Sequence, residues 1–200
     1  MRFPVSVIVA AGLLGVASAS AAPAAQTLVF TELVHGSSRI AGPFAAPVGT
    51  SIFLVDEAES LAQESDTYWK ALGVSSGDVE RIRETNWRRK FVFGVFSTWP
   101  TRGYELRIRR ITLQHIGGGV EQLCVTVARH GPPPGHVVLQ ERTSVYDLVQ
   151  VTRQAANLST PGSVVIRGIH GRLLYTTGNV SNSGFNTQTH PVRPDVCHAS

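Results

Sequence analysis

The 200-residue sequence contains very little lysine, and its net charge is small. Lysine occurs only at Lys70 and Lys90, so arginine carries almost all of the positive charge behind a net charge of +4. Hydrophobic residues make up 42% of the chain. A small net charge combined with this hydrophobic content is typical neither of a disordered chain nor of a nucleic-acid-binding domain. We therefore expect a folded protein that does not bind nucleic acid.

The motifs of several enzyme classes are also missing. There is no Gly-x-Ser-x-Gly motif of the kind that positions a nucleophilic serine. The seven histidines include no pair at helical i, i+4 spacing, and there is no Cys-x-x-Cys motif, so no metal site is predicted. The glycine run at 117–119 lacks the Lys and Ser/Thr of a phosphate-binding loop. The sequence therefore predicts no catalytic residues, no metal and no cofactor.

Two weaker arrangements deserve comparison with simpler explanations. His35 precedes Gly36-Ser37-Ser38, which brings a base close to a hydroxyl group, but no helix pattern follows that could build an oxyanion site. His130 and His136 flank a Gly-Pro-Pro-Pro-Gly segment and could meet across that loop. Two solvent-facing loop histidines are the simpler interpretation of the second pair.

Long apolar runs are absent except at the N-terminus. Met1-Arg2 is followed by an apolar run at 5–16 and by small-x-small cleavage patterns within 17–21. This is the layout of a secretory signal peptide, and the run is too short to span a bilayer. We expect residues 1–21 to be a signal peptide and the mature chain to be secreted or periplasmic, with no transmembrane segment.

Only two cysteines are present, Cys124 and Cys197. In an exported chain, the default interpretation is that they form one disulfide. Within the strand pattern at 120–128, Leu123, Val125 and Val127 share one parity and Cys124 has the other. We therefore expect Cys124 to point away from the main core, and the tail carrying Cys197 to cross that outer face.

Strand patterns between Gly- and Pro-rich turns dominate the rest of the chain. They lie at 27–34, 50–55, 90–97, 104–110, 120–128, 136–141, 144–152, 163–168 and 171–176. This pattern is typical of a mainly β fold, and we expect an antiparallel β-sandwich-like or barrel-like domain. Because the apolar parity changes after Ile108, a bulge near Arg109-Arg110 would keep both sets of side chains in the core.

One amphipathic helix is predicted at 56–72. Asp56 and Glu59 form a capping-box pattern, and Gly73 supplies the stop. One face is apolar and consists of Leu61, Tyr68, Trp69 and Leu72. A short second helical turn is predicted within 77–88.

The turn at 99–104 contains side chains that its formation does not require. Pro100 and Gly103 are sufficient to form it, because Pro fixes φ and Gly can adopt positive φ. Trp99, Thr101 and Arg102 are left at the tip, and Trp and Arg often dominate binding energy at interfaces. We interpret these three residues as a candidate partner contact. On the alternative interpretation, Trp99 folds back onto the sheet edge and Arg102 is merely solvated.

Several segments resemble one family when they are taken in order. From residue 91 to residue 151 the chain contains FVFGVF, PTRGYELRI, QLCVTV, PPPG and YDLVQV. This succession resembles the C-terminal domain of protease complex subunit PrcB. Arg102 stands where that family has a small Gly, and Val145 stands where it usually has Pro. We expect a PrcB-like β-rich domain at 22–155 and a C-terminal extension at 156–200 with two strands and a polar tail.

The resemblance implies an exported, non-catalytic accessory protein that contacts a protein partner, with a protease as the candidate. The turn is also similar to the Asn-Pro-Thr-Thr-Gly-Tyr loop of chagasin-like protease inhibitors, which are β-sandwiches. In those proteins, loops at one end of the sandwich enter an active-site cleft. Trp99 replaces the Asn of that loop here. The alternative function is therefore protease inhibition by the loop Trp99–Tyr104.

Overall fold

The computed structural model describes residues 25–39, 50–55, 69, 73–117, 120–153, 162–178 and 192–197. The expected signal peptide at 1–21 lies outside the described residues, and so does the predicted helix at 56–72, apart from Trp69. The described strands are β1 Gln26–Thr27, β2 Phe30–Arg39, β3 Thr50–Val55, β4 Lys90–Trp99, β5 Glu105–His115, β6 Glu121–His130, β7 Thr143–Thr152, β8 Ser163–Gly168 and β9 Leu173–Thr177. The helical elements are α1 Ser76–Arg83 and a 3-10 turn Pro194–Val196.

The strands form two sheets that pack face to face. Sheet A has the order β1-β5-β6-β8-β9, and sheet B has the order β2-β7-β4-β3. The mainly β fold class is therefore confirmed, in its sandwich form. All pairings are antiparallel except that of β6 with β8, which is parallel. The sequence pattern did not predict this exception.

Sheet B is a middle layer, which explains why β4 is apolar on both faces. Alternate residues of β4, among them Phe93 and Val95, contact sheet A in the main core. Val92 and Phe96 point to the opposite face of β4 and belong to a second core. This core also contains Trp69, and Ile82 from α1. A strand that is buried on both faces needs apolar residues at every position rather than at every second one.

Helix α1 begins with a capping arrangement that the sequence analysis did not identify. The Oγ of Ser75 accepts a hydrogen bond from the backbone N–H of Asp78 (3.2 Å) and donates one to its carboxylate (2.7 Å). This satisfies an N–H group that the first turn of a helix would otherwise leave unpaired. The short helical turn predicted within 77–88 is thus present, and it begins slightly earlier.

The parity change in β5 is resolved by a bulge, as the sequence predicted. The register of β5 with β6 shifts between Ile108 and Arg110. As a result Leu106, Ile108, Ile111 and Leu113 all belong to the main core. One extra residue in the strand therefore keeps both apolar sets on the same face.

The outer face of sheet A is covered by the end of the chain. Cys124 and Cys197 form a disulfide with their Cα atoms 5.4 Å apart, and both pack with Val165 in a third core. The prediction that Cys124 points away from the main core is confirmed. Arg167 also holds the tail, because its Nη2 donates to the carbonyl of Pro194 (2.7 Å).

Two strand assignments were wrong. The segment 136–141 is an irregular loop: no strand in the described ranges pairs with it, and Val137 is fully exposed. The predicted strand at 27–34 is divided between the two sheets. Leu28 N donates to Ile111 O in sheet A, whereas Val29 O accepts from Thr152 in sheet B, so the chain changes sheets between these two residues.

Candidate functional site

Three loops lie at one end of the sandwich, which we call the mouth. They are the β4–β5 turn at 100–104, the β6–β7 loop at 131–142 and the β8–β9 turn at 169–172. Topology places them together: β4, β6 and β8 end here, and the strands that follow each of them begin here. The candidate contact residues from the sequence therefore have two further loops as neighbours.

The structure separates the three candidate contact residues. Trp99 is the last residue of β4 and is half-buried against the main core. Thr101 is half-buried and Arg102 is exposed, both in the turn itself. Gly103 has φ = 88°, which is the left-handed conformation expected of it.

Trp99 packs on the residue that follows the turn. Its ring lies parallel to that of Tyr104, with the centroids 4.0 Å apart and 6° between the planes. Trp99 has the same parity as the core residue Val95 in β4, and Tyr104 has the same parity as the core residue Leu106 in β5. The stacked pair therefore covers the end of the main core. Part of the indole surface is therefore used for packing within the fold.

The turn is tied to the 131–142 loop by a shared carboxylate. Glu141 forms ion pairs with Arg102 and with Arg39 at the end of β2, the latter at 2.7 Å. The backbone N–H of Arg102 also donates to the carbonyl of Leu139 (3.3 Å). Thr143 caps the same segment by donating to the Glu141 carbonyl (2.9 Å). Arg102 thus has a structural role, whatever else it contacts.

The 131–142 loop presents apolar side chains to solvent. Val137 is 101% exposed and Leu139 is 65% exposed. The base of the loop packs closely on the turn: a Cβ on Gly103 would lie 3.2 Å from the Cβ of Pro132. The sequence analysis assigned this apolar segment to a strand and so missed it as a surface. The three consecutive prolines lie just before this segment, at 132–134, so they did not exclude a strand within it.

Arg129 occupies the last core-facing position of β6. Leu123, Val125 and Val127 precede it with the same parity, so its guanidinium group lies between the two sheets at the mouth. It donates to the Oγ1 of Thr50 in sheet B (2.5 Å) and lies 5.4 Å from the centre of the Trp99 ring. Burial, followed by the charge of Arg172, lowers the pKa of Arg129 below its ordinary value.

A depression of about 240 Å³ opens beside Arg129. Its lining combines aromatic, aliphatic and cationic side chains and comprises Trp99, Val127, Arg129, Ile169, His170, Arg172 and Leu174. Gly168 contributes backbone at its base. The sequence analysis identified only Trp99 of this group, because the others come from strands and turns distant in sequence.

His35 and Ser37 are not joined as a base and a nucleophile among the described contacts. The Nδ1 of His35 lies 2.6 Å from a carboxylate oxygen of Glu32, and Arg107 donates to the other oxygen (2.7 Å). Burial alone would raise the pKa of Glu32, but the hydrogen bond from His35 and the charge of Arg107 outweigh it and lower the pKa. These contacts connect β2 of sheet B with β5 of sheet A.

A buried carboxyl group lies next to this network. Asp147 of β7 is 2% exposed and faces sheet A, where its Oδ2 accepts a hydrogen bond from the N–H of Ile108 (2.6 Å) at the β5 bulge. Burial raises the pKa of Asp147 to about 6, against the opposing effect of that hydrogen bond. The carboxyl group thus fixes the bulge to the opposite sheet.

The described part of the chain contains no group of three His, Cys, Asp or Glu side chains that could hold a metal ion. His130 and His136 are both exposed at the ends of their loop. No helix in the described ranges is long and apolar enough to cross a membrane.

Comparison with known protein families found no family model that matches this chain. No curated protein matched it. No solved structure matched it either.

Proposed function

We propose that the protein is a non-catalytic binding module that contacts a protein partner through the mouth. The contact surface consists of the β4–β5 turn and the 131–142 loop. The observation that carries this proposal is the exposure of Val137 and Leu139 on a loop that the fold holds in place. Thr101 and Arg102 are the two sequence-predicted residues in the turn, and the backbone N–H of Arg102 donates to the carbonyl of Leu139 in this loop.

The fixation of the loop matters because binding costs conformational entropy. A loop that is already ordered loses less freedom when a partner binds, so more of its contact energy appears as affinity. Glu141 supplies that order by pairing with arginines from two other segments, Arg39 and Arg102. A folded monomer gains nothing from the full exposure of Val137, whereas a partner would remove its side chain from water.

The resemblance to the PrcB domain is what favours a protease as the partner. The signal-peptide pattern at 1–21 and the Cys124–Cys197 disulfide fit a partner outside the cytoplasm. On this proposal the protein binds its protease without supplying a reactive group. Its role would be to position or stabilise the enzyme.

The test uses a captured partner and three variants. The mature protein is used as bait in an envelope fraction from its source organism, and the captured protein is titrated by calorimetry. We expect Val137→Ser with Leu139→Ser to weaken binding by about 2 kcal/mol or more, as for residues central to an interface. Arg102→Ala should weaken it less, through loosening of the loop.

Val29→Ser is the matched control. Val29 is also an exposed valine (59%), but it lies where β7 ends, at the opposite end of the sandwich. It should bind like wild type. Val29→Ser and the Val137→Ser, Leu139→Ser double variant should keep the wild-type melting temperature because the changed side chains are exposed. If the double variant binds as tightly as wild type, the contact surface lies elsewhere.

A second candidate function is protease inhibition, and one observation favours it. Three loops converge at the mouth, and inhibition of the chagasin-like kind uses loops at one end of a sandwich. An inhibitor would block hydrolysis of a small peptide substrate by the captured protease. An accessory module would bind the protease and leave this hydrolysis intact. One turnover assay on the complex therefore separates the two candidates.

A further inference from the structure

Two arginines, Arg129 and Arg172, line the depression beside Trp99, and no carboxylate is among its lining residues in the part of the chain that the structure describes. Arg129 and Arg172 are close enough for the charge of Arg172 to lower the pKa of Arg129. Within the described ranges, neither residue takes part in any of the ion pairs, which involve Arg39, Arg81, Arg83, Arg102, Arg107 and Arg193. Like charges that are held together without a counter-charge are unfavourable, and a bound anion would relieve them.

The position of Arg129 makes this arrangement more than a solvated surface pair. The residue stands at a core-facing position, where the pattern of β6 would call for another aliphatic side chain. Its Nε is buried and has no hydrogen-bond partner among the described residues, while Nη2 is engaged by Thr50. The guanidinium group is therefore fixed in place by Thr50 and by the Trp99 ring, with part of its hydrogen-bonding capacity unused.

The walls of the depression indicate that its ligand has an apolar group as well as an anionic one. Trp99, Val127 and Leu174 contribute apolar surface, and Ile169 at the rim is 46% exposed. An inorganic anion would leave this apolar surface in contact with water. A ligand that carries an apolar group beside its anionic group would cover it and gain the free energy of its burial.

We infer that this depression binds a carboxylate attached to an apolar group, as found at the C-terminal residue of a polypeptide chain. Arg172 and Arg129 hold the carboxylate, whose planar shape and single charge match a guanidinium group. Trp99, Ile169 and Leu174 hold the apolar side chain. The inference does not rest on the proposed function, because the residues that line the depression do not include Val137 or Leu139.

The direct test is a titration of the mature, disulfide-bonded protein with N-acetyl-leucine. Binding is followed by nuclear magnetic resonance on the Trp99 indole N–H and the Arg129 Nε–H, and by calorimetry. N-acetyl-leucinamide has the same apolar part without the charge, and inorganic phosphate has charge without the apolar part. We expect N-acetyl-leucine to shift both signals, and the other two compounds to bind at least about tenfold more weakly, as loss of a charge-assisted contact implies.

Arg172→Gln is the decisive variant because Arg172 is exposed and its loss should not affect folding. It should weaken N-acetyl-leucine binding about tenfold or more. Arg88→Gln removes the same charge from an exposed site just before β4, at the opposite end of the sandwich, and should bind like wild type. Arg129→Gln should abolish binding and is interpreted only if its melting curve is cooperative.

Four results would overturn the inference. They are the absence of any shift with N-acetyl-leucine, equal binding of the amide, equal binding of phosphate, and unchanged affinity in Arg172→Gln. Equal binding of the amide would reduce the site to an apolar patch, and equal binding of phosphate would reduce it to a general anion site. Each of these outcomes leaves the protein-contact proposal intact, since that proposal depends on Val137 and Leu139.

Discussion

The side-chain amide of Gln122 hydrogen-bonds both backbone groups of Arg193. Its Oε1 accepts from the N–H (2.8 Å) and its Nε2 donates to the carbonyl (2.9 Å). Gln122 is completely buried, and Ser163 donates a further hydrogen bond to its Oε1 (3.2 Å). The Gln122 amide thus satisfies both backbone groups of Arg193, as a paired strand would do. Arg193 lies close in sequence to Cys197, which forms the disulfide with Cys124.

The disulfide is expected to contribute substantially to stability. Replacing both cysteines by serine should lower the free energy of unfolding by up to about 4 kcal/mol, the value for closing a loop of this length. Denaturant titration measures this loss, and reduced wild-type protein is the matched control. Non-reduced mass spectrometry should also show a mass two hydrogens below that of the thiol form. Two free thiols in freshly exported protein would contradict this prediction.

Asp147 predicts an unusual dependence of stability on pH. Its pKa is about 6 in the folded protein, above the ordinary value of 3.8, so folding favours the protonated carboxyl group. The wild-type protein therefore loses stability from this residue as pH rises from about 4 to above 6. Asn cannot ionise but keeps an oxygen for the Ile108 N–H. The stability of Asp147→Asn relative to wild type should thus rise by roughly 2 kcal/mol between pH 4 and pH 7.

Denaturant titration of both proteins at several pH values measures that difference. Glu32→Gln is an informative comparison, because the pKa of Glu32 is lowered rather than raised. Its stability relative to wild type should shift in the opposite direction with rising pH. A difference between Asp147→Asn and wild type that stays constant from pH 4 to pH 7 would show that the carboxyl group titrates normally.

Gly36 is predicted to be intolerant of a side chain. A Cβ at this position would lie 2.8 Å from the hydroxyl oxygen of Tyr146 and 3.0 Å from its ring. Tyr146 is buried, and its ring packs at a tilt of 33° against Phe96, with the centroids 5.8 Å apart. Gly36→Ala should cost about 1–3 kcal/mol of stability, as overpacking does. The pair Gly36→Ala with Tyr146→Phe should recover part of this loss, and an unaffected single variant would contradict the prediction.

Trp99 is expected to contribute to stability as well as to the mouth surface. Because it stacks on Tyr104 and packs on the core, Trp99→Ala should cost about 2–3 kcal/mol, less than a fully buried Trp. Arg102→Ala removes an ion pair whose arginine is exposed, and Glu141 keeps its second ion pair with Arg39, so the change should cost about 1 kcal/mol or less. Thermal melting of both variants measures the contrast. If Trp99→Ala is as stable as wild type, the prediction is wrong and Trp99 does not stabilise the fold.

The contrast between Trp99 and Val137 shows what the sequence could and could not predict. Alternation along each strand gave most strand positions, the bulge after Ile108 and the outward direction of Cys124, because parity is a local property. Alternation cannot indicate whether a neighbouring strand is available. The apolar segment at 136–141 therefore resembled a strand, although none of the described strands forms a ladder with it.

The depression at the mouth was beyond sequence analysis for a related reason. Arg129 looked like one more arginine, and only its parity with Val127 signals that it faces inward. Its neighbours Arg172 and Leu174 reach it because β8 lies parallel to β6 in the same sheet. Nothing in the local pattern of either strand encodes that pairing.

The placement of β7 also determines when the protein can fold. In sheet B, β7 lies between β2 and β4 and pairs with both. It is the neighbour of β2, which stands at the edge of the described sheet. A ribosome that makes roughly 5–20 residues per second delivers β7 several seconds after β2. Until then β2 has no partner, so sheet B cannot assemble while the first half of the chain is being synthesised. The two strands that flank β7 are therefore joined into one sheet only after residue 152 has been synthesised.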